Sequence, residues 1–320
     1  METYKVSVVV PVYNVAAWVE RCVRSLMEQT LEEIEYIFVD DCSPDNSMDI
    51  VRRVVSDYPS RENNVRFLRQ EHNRGILQAR LRGELEATGE YIANVDSDDW
   101  VEPDAYATLY EKAKREDADC VILGYQRDFK DHTEACHRIY AENDGRGLMH
   151  HLYKYDFELV AWGELLRNDD RLRTLLQQYQ RPEWDHATMW EDVAVMMPYY
   201  YGVRRISYCD RCLYHYNRMN VSSALNTVSL GKAQQAINVM RYLTKYFQDD
   251  PQMRLSLGVM TLGAKNMMLG KVPLEEWRET EAWCNKYVMK YTSIPLKVRI
   301  FYWLLIHNQD WAYNMYAKRP

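Results

Sequence analysis

Residues 90–100 read EYIANVDSDDW, an apolar run that ends in Asp96, Asp98 and Asp99. Three carboxylates so close repel one another, and removing each from water costs on the order of several kcal/mol. A positive partner is therefore expected: a Lys or Arg, a helix N-terminus, or a metal ion. Hard cations such as Mg2+ and Mn2+ take oxygen ligands, and Mg2+ is commonly held by one or two carboxylates together with substrate phosphates. Asp-x-Asp spacing suits such a site, because residues i and i+2 of an extended strand end share a face. Asp96 and Asp98 should then converge while Ser97 and Asp99 face elsewhere, with Asp99 capping a helix expected over Pro103–Arg115. Taken alone, such a triplet equally marks a solvated loop.

The spacing of apolar residues says what must position these acids. Lys5–Val12 (KVSVVVPV) is the β-branched run of a strand covered on both faces. Val15, Trp18, Val19, Cys22, Val23 and Leu26 mark one face of a helix. Glu35–Val39 reads as a second buried strand, Met48–Tyr58 as a helix, Val65–Arg69 as a strand, Ile76–Ala87 as a helix and Tyr91–Val95 as a strand. Such βα alternation predicts an α/β fold with a parallel, doubly wound sheet and right-handed crossovers. Tyr13-Asn14, Asp40-Asp41 and the three acids then all follow C-terminal strand ends, the edge at which open α/β sheets bind ligands. No GxGxxG follows the first strand and no GxxxxGK[ST] occurs, which disfavours a dinucleotide fold and a P-loop. Further on, CVILGYQ is a strand, 128–147 is polar, and Leu230–Phe247, Met253–Leu269 and Leu274–Tyr291 carry helical spacing. From Leu296, LKVRIFYWLLIHNQDWAYNMYAKR joins basic residues to an aromatic stripe, so a last helix either packs on the domain or lies in the plane of a membrane.

With 320 residues, 47% of them hydrophobic, the chain can build a sizeable core. A net charge of -7 argues against a basic face that grips nucleic acid, and none is expected as a partner. No early stretch has the pattern of a secretory signal and no run reaches the roughly eighteen apolar residues of a bilayer span. The expected location is the cytoplasm, including the inner face of the membrane. Seven scattered cysteines, an odd number, fit reduced thiols. Cys209 and Cys212 form a lone CxxC without a second pair at zinc-finger spacing, and read as strand and turn residues.

VPVYN, SLMEQT, DDCSPDNS, NRGILQAR, ATGEYI and DSDD follow one another in order through the first third of the chain. Together they resemble the nucleotide-sugar half of family 2 glycosyltransferases. The resemblance implies the GT-A fold, a Rossmann-like nucleotide-diphospho-sugar transferase domain, here followed by a C-terminal helical region. It implies an inverting transfer of a hexose or hexosamine from a UDP-sugar to a hydroxyl of a glycan or lipid-linked acceptor, in cell-surface polysaccharide synthesis, with Mn2+ or Mg2+ as cofactor. Pro11, Tyr13 and the adjacent Asn14, with Asp41 and its neighbour Asp40, are implied at the nucleobase, where a carboxylate accepts the imide N–H of uracil. The segment from Asn73 to Arg80 is implied over base and ribose, Asp96 near the ribose, and Asp98 on the metal that bridges the diphosphate. An inverting transfer also needs a general base for the acceptor hydroxyl. The resemblance gives that role to Asp192 of the Glu191-Asp192 pair, flanked by AWGELLRND and ISYCDRCLYHYNRMNVSSALN. Acids at a helix start also favour the positive end of its dipole. A catalytically inactive nucleotide-sugar-binding module is the alternative, and the intact DD, DxD and ED pairs argue against it.

The chain departs from the family pattern at several positions. Cys42 replaces the usual glycine after DD and Pro44 a small polar residue, so that turn is expected to differ slightly. Leu81 stands for an Asn, Glu164 for a Lys and Trp190 for a glycine, the last two expected on the acceptor side. Trp162, Trp184, Trp190, Tyr199–Tyr201 and His215 are either sugar-stacking surfaces or core. The expected organisation is a nucleotide-sugar half at 1–118, an acceptor half at 119–220 and helices at 221–320.

Overall fold

Every residue of the first strand, β1 (Val6–Val12), is buried, and its alternate side chains enter two separate cores, Val8 and Val10 one and Val9 the other. A valine run without a polar face sits this way only in the middle of a sheet covered on both sides. The computed structural model describes residues 4–155, 157–220 and 229–317. The VSSALN end of one family motif and Lys318-Arg319 of the last basic-aromatic stretch lie outside the described residues.

Next come α1 (Val19–Met27), β2 (Ile34–Asp40), α2 (Ser47–Ser56), β3 (Val65–Arg69), α3 (Ile76–Glu86) and β4 (Tyr91–Asn94). The four strands are parallel in the order β3-β2-β1-β4, with Val9 opposite Ile37 on one side and Asn94 on the other. Helices α1 and α2 cover the Val8 face and α3 the Val9 face. Helix α3 lies so close that a Cβ on Gly83 would stand 2.4 Å from a Val9 methyl.

Past β4 the sheet ceases to be parallel. The elements are β5 (Trp100–Val101), α4 (Ala105–Glu116), β6 (Cys120–Asp128), β7 (Thr133–Cys136), α5 (Gly145–His151), β8 (Glu164–Arg167), α6 (Asp170–Gln177), α7 (Glu191–Gly202) and β9 (Ile206–Asn217). Strand β8 runs antiparallel between β4 and β6, β9 lies parallel to β6, and β5 pairs antiparallel with β9. The sheet order is β3-β2-β1-β4-β8-β6-β9-β5, with β7 on β6. Strand β8 is only ELLR, and although Leu165 and Leu166 enter opposite cores, nothing in so short a run carries a direction. Trp100 and Val101 form a strand where a helix start was expected. Cys209 faces Leu123 and Cys212 faces Gly124, so the CxxC straddles a bulge in β9, and all seven cysteines are free thiols.

The C-terminal helices are α8 (Leu230–Tyr246), α9 (Met253–Asn266), α10 (Leu274–Glu279), α11 (Leu296–Ile306) and α12 (Asp310–Ala317), with a 3-10 stretch over Ala282–Lys290. Helices α8 and α9 bury Ala233, Ile237, Met240 and Leu257 in the same core as Val9. The helix expected over Leu274–Tyr291 breaks at Glu281, which takes a φ of 47°. The last piece breaks at Asn308, φ 61°. There Gln309 N–H returns to Leu304 O at 3.0 Å and Asn308 N–H to Leu305 O at 3.2 Å, a Schellman ending with Asn in its left-handed position.

Candidate active site

The chain leaves β4 in a turn, with Asp99 N–H donating to Asp96 O at 3.0 Å. This turn, not strand alternation, decides where the acids point. Asp96, Ser97 and Asp98 line a cavity of about 800 Å³. Asp99 turns away, is fully buried, and accepts from the Tyr214 hydroxyl at 2.6 Å and Asn217 N–H at 2.8 Å. Both donors belong to β9, so Asp99 pins the end of β9 to the turn and does not cap α4, whose first-turn boundary is Asp104. Burial, reinforced by Asp98 and Asp96, holds its carboxyl well above the ordinary range.

Asp96 has the positive partner that its surroundings demand. Arg80 of α3, with 3% of its side chain exposed, donates from Nη2 to Asp96 Oδ1 at 2.6 Å and from Nη1 to Asp192 Oδ1. Glu191 stands 3.8 Å from the same Nη1. One buried guanidinium thus joins the end of β4 to the start of α7 and keeps three like charges together, which they would not tolerate without it. Arg80 borders the cavity, with its guanidinium engaged by Asp96 and Asp192. Burial raises the Glu191 and Asp192 carboxyls, adjacency to Asp192 raises Glu191 further, and Arg80 opposes both shifts. Asp98 differs: among the described residues it joins no ion pair, and Asn220 donates to it at 2.8 Å. Burial and the neighbouring Asp96 push its carboxyl up.

At the other end of the cavity stand Pro11, Tyr13, Asn14, Asp41 and Asn73. Tyr13 is 48% exposed at the mouth of β1. Asp41 accepts the N–H groups of Arg74 and Gly75, each at 2.8 Å, and burial raises its carboxyl. Asp40 does not line the cavity; it accepts Ser43 N–H at 2.8 Å and closes the turn after β2. Cys42 keeps a φ of 56° and Trp190 one of 63°. These are left-handed conformations at the two places where the family pattern has glycine, so the backbone is preserved at a cost of roughly 1 kcal/mol at each position. The Trp190 indole reaches α9, where a Cβ on Gly263 would stand 3.5 Å from its ring.

Gly75 ties these two regions together. Its φ of 90° and ψ of 165° are open only to glycine, and a Cβ there would come within 3.0 Å of the His186 Cα. His186 N–H donates to Arg74 O at 2.7 Å and the Arg74 guanidinium pairs with Asp185 at 2.8 Å. Gly75→Ala is expected to cost about 1–3 kcal/mol in denaturant unfolding. It should also disturb the Asp41 carboxylate, because it displaces the two N–H groups that orient it.

Aromatic rings form the remaining wall. Trp162 and Trp190 line the cavity, while Trp184, Tyr199, Tyr200, Tyr201 and His215 do not. His215 is held between Asp128 and Glu102, 2.9 Å from each, and stacks on Trp100. Glu164, expected on the acceptor side, is buried behind the wall. It pairs with Arg138 at 2.7 Å and accepts from the Tyr200 hydroxyl at 2.9 Å, and burial pushes its carboxyl up to about 7. The sequence reading missed Tyr153, Tyr155, Phe157, Tyr216 and Asn220, and also Val259, Met260, Tyr291 and Ser293 from the C-terminal region. The alternation of Tyr214 and Tyr216 in β9 was the one available signal; the others come from segments whose approach no local pattern records.

Among the described residues no group of three or more His, Cys, Asp or Glu is arranged to hold a metal ion. The oxygen donors of Asp98 and Asp96 nevertheless fit a hard divalent cation, for which one or two carboxylates suffice when phosphates complete the shell.

Comparison with known proteins bears on family and fold. The model of the family described as glycosyl transferase family 2 matches residues 7–169. The Bacillus subtilis protein named "Putative glycosyltransferase EpsH" is 33% identical over 70% of this chain, and the alignment spans 63% of EpsH, so the chain covers less than two thirds of that relative. Residues 1–349 of S. aureus TarS, solved with UDP-GlcNAc, superpose with a TM-score of 0.66 over 98% of this chain and 92% of that one at 18% identity. The mannosyltransferase PcManGT of Pyrobaculum calidifontis, solved with GDP-Man and Mn2+, gives a TM-score of 0.53 over 99% and 88% at 15% identity. At such identities the likeness is one of fold.

Proposed function

The chain belongs to glycosyl transferase family 2 and has the GT-A fold, and from that premise we propose that it is an inverting, metal-dependent transferase. In this reading it moves a hexose or hexosamine from a UDP-sugar to a hydroxyl of a glycan or lipid-linked saccharide in cell-surface polysaccharide synthesis. The observation that carries it is the convergence of Asp41, Asp98 and Asp192 on one cavity from three distant parts of the chain.

Each residue contributes by ordinary chemistry. Asp41, oriented by two backbone N–H groups, keeps lone pairs for the imide N–H of uracil, and the exposed Tyr13 ring offers a face for the base. Asp98, with Asp96 beside it, would hold Mn2+ or Mg2+, which when bound neutralises charge on the departing diphosphate. Asp192 takes the proton of the acceptor hydroxyl as that oxygen bonds to the anomeric carbon from the face opposite the breaking bond to UDP. Arg80 aims Asp192 and keeps its ionised form accessible. Trp162, Trp190 and Tyr216 supply stacking faces for acceptor rings. No helix among the described residues is long and apolar enough to cross a membrane, and the proposed setting is the cytoplasm, with peripheral contact at the inner face of the membrane.

A thermal-shift panel of nucleotide sugars with Mn2+ tests the donor, since a ligand bound only by the folded state raises Tm. A UDP-sugar is expected to give the largest shift. Asp98→Asn should abolish the additional shift that Mn2+ gives with UDP, and excess chelator should stop turnover in the wild type. Undiminished turnover in chelator would refute the metal.

A further inference from the structure

Helix α11 carries apolar residues on both faces. Leu305 is fully buried against the body, and on the opposite side Leu296, Ile300 and Trp303 are 53%, 44% and 42% exposed. Their spacing of four and three residues puts them in one stripe along the helix. Met289 before it and Trp311 after it are 42% and 53% exposed, so five of the nine large apolar side chains exposed among the described residues fall in this short region. A helix with apolar residues on both faces has a second surface still to be covered.

The charges say what covers it. Between Ala282 and Gln309 there is no Asp or Glu, whereas Lys286, Lys290, Lys297 and Arg299 are present, in a chain whose net charge is -7, and the acids that bracket the stretch, Glu281 and Asp310, are paired with Arg241 and Arg278. The three lysines are exposed, and among the described residues none is in an ion pair. A second copy of the chain docked symmetrically on this stripe would bring Lys297 and Arg299, which flank it on α11, close to like charges of the other copy. A surface of anionic lipid headgroups is complementary to all of them and accepts the apolar stripe below.

The stripe also adjoins the cavity. Tyr291 and Ser293 line it, and the Thr292 hydroxyl donates to Tyr153 O at 3.2 Å on the same wall. Leu296 follows Ser293 by three peptide units, a reach of at most about 11 Å. We propose that the outer face of α11, with the start of α12, seats on an anionic bilayer surface, and that the acceptor is a saccharide carried on a lipid in that surface. The docking half stands by itself; the acceptor half rests on the transferase reading above.

Flotation of the full chain with vesicles tests the docking half. The chain should float with equal parts phosphatidylglycerol and phosphatidylcholine and remain behind with phosphatidylcholine alone. Each lysine near an anionic surface strengthens binding about fivefold, so Lys286→Glu with Lys290→Glu and Lys297→Glu should weaken it by about a hundredfold or more. Ile300→Glu with Trp303→Glu should abolish flotation while UDP-sugar hydrolysis without acceptor stays at the wild-type level, which shows that the fold survives. Absence of flotation, equal flotation with neutral vesicles, or a dimer in light scattering that the Ile300→Glu, Trp303→Glu variant dissolves would each overturn the docking proposal. Transfer to a soluble glycan as fast as to the same glycan on vesicle lipid would overturn the acceptor half. Loss of the transferase reading itself would appear differently, as a wild-type chain that floats but turns over no UDP-sugar.

Discussion

Asp192→Asn is expected to slow sugar transfer by about 10²–10⁴-fold, the contribution of a positioned general base, while UDP binding changes little. The structure makes this variant a clean test. Arg80 Nη1 donates to Asp192 Oδ1, and an asparagine amide oxygen can accept the same bond, so the link between α3 and α7 survives while the proposed proton acceptor is lost. Donor affinity, read by thermal shift with UDP, should therefore stay within a few-fold of wild type. Because burial raises the Asp192 carboxyl above the ordinary aspartate value, activity of the wild type should fall off on the acid side at a pH above that value, as the base becomes protonated. The remaining activity of Asp192→Asn should lack that limb. A variant that transfers at the wild-type rate would remove Asp192 from the chemistry.

Arg80→Ala should have the largest effect on stability. It leaves Asp96, Asp192 and Glu191 facing one another in a partly buried site with no counter-charge, and breaking such a pair costs about 3–5 kcal/mol. The loss is read as a lower denaturant midpoint. Its pH dependence has a defined sign. Without Arg80 the Glu191 and Asp192 carboxyls, already raised by burial, rise further, so the folded state binds more protons than the unfolded one and stability decreases as pH rises through the range between their unfolded and folded values. The gap between variant and wild type should accordingly narrow as pH falls. Arg80→Lys restores the charge but not the planar fork that reaches two carboxylates, and should recover only part of the loss. An Arg80→Ala variant as stable as wild type would mean that the acids do not depend on this guanidinium.

What was legible in the sequence was whatever a local pattern encodes. The near-continuous apolar runs at Lys5–Val12 and Glu35–Val39 showed strands buried on both faces, because successive residues of a strand face opposite sides and both sets are largely apolar. The acids could be placed at strand ends for the same reason, and ten of the eleven site residues read from the motifs do line one cavity, Asp40 being the exception. Even Cys42 and Trp190, departures from glycine, marked positions that are left-handed in the structure.

What only the tertiary structure decided were relations between residues far apart in the chain. That Asp99 belongs to β9, that Arg80 is shared by Asp96 and Asp192, that Glu164 is neutralised by Arg138 behind the wall, and that β8 runs backwards are all of this kind. A buried charge must find a partner, and the sequence states that need as soon as it sets three aspartates after an apolar strand. Which partner satisfies it depends on distances of a few ångströms, set when the β4 turn, α3 and α7 pack together. Periodicity therefore located the acids, and packing separated them: Asp98 borders the cavity and joins no ion pair among the described residues, Asp192 is held by Arg80, and Asp99 is withdrawn into the fold.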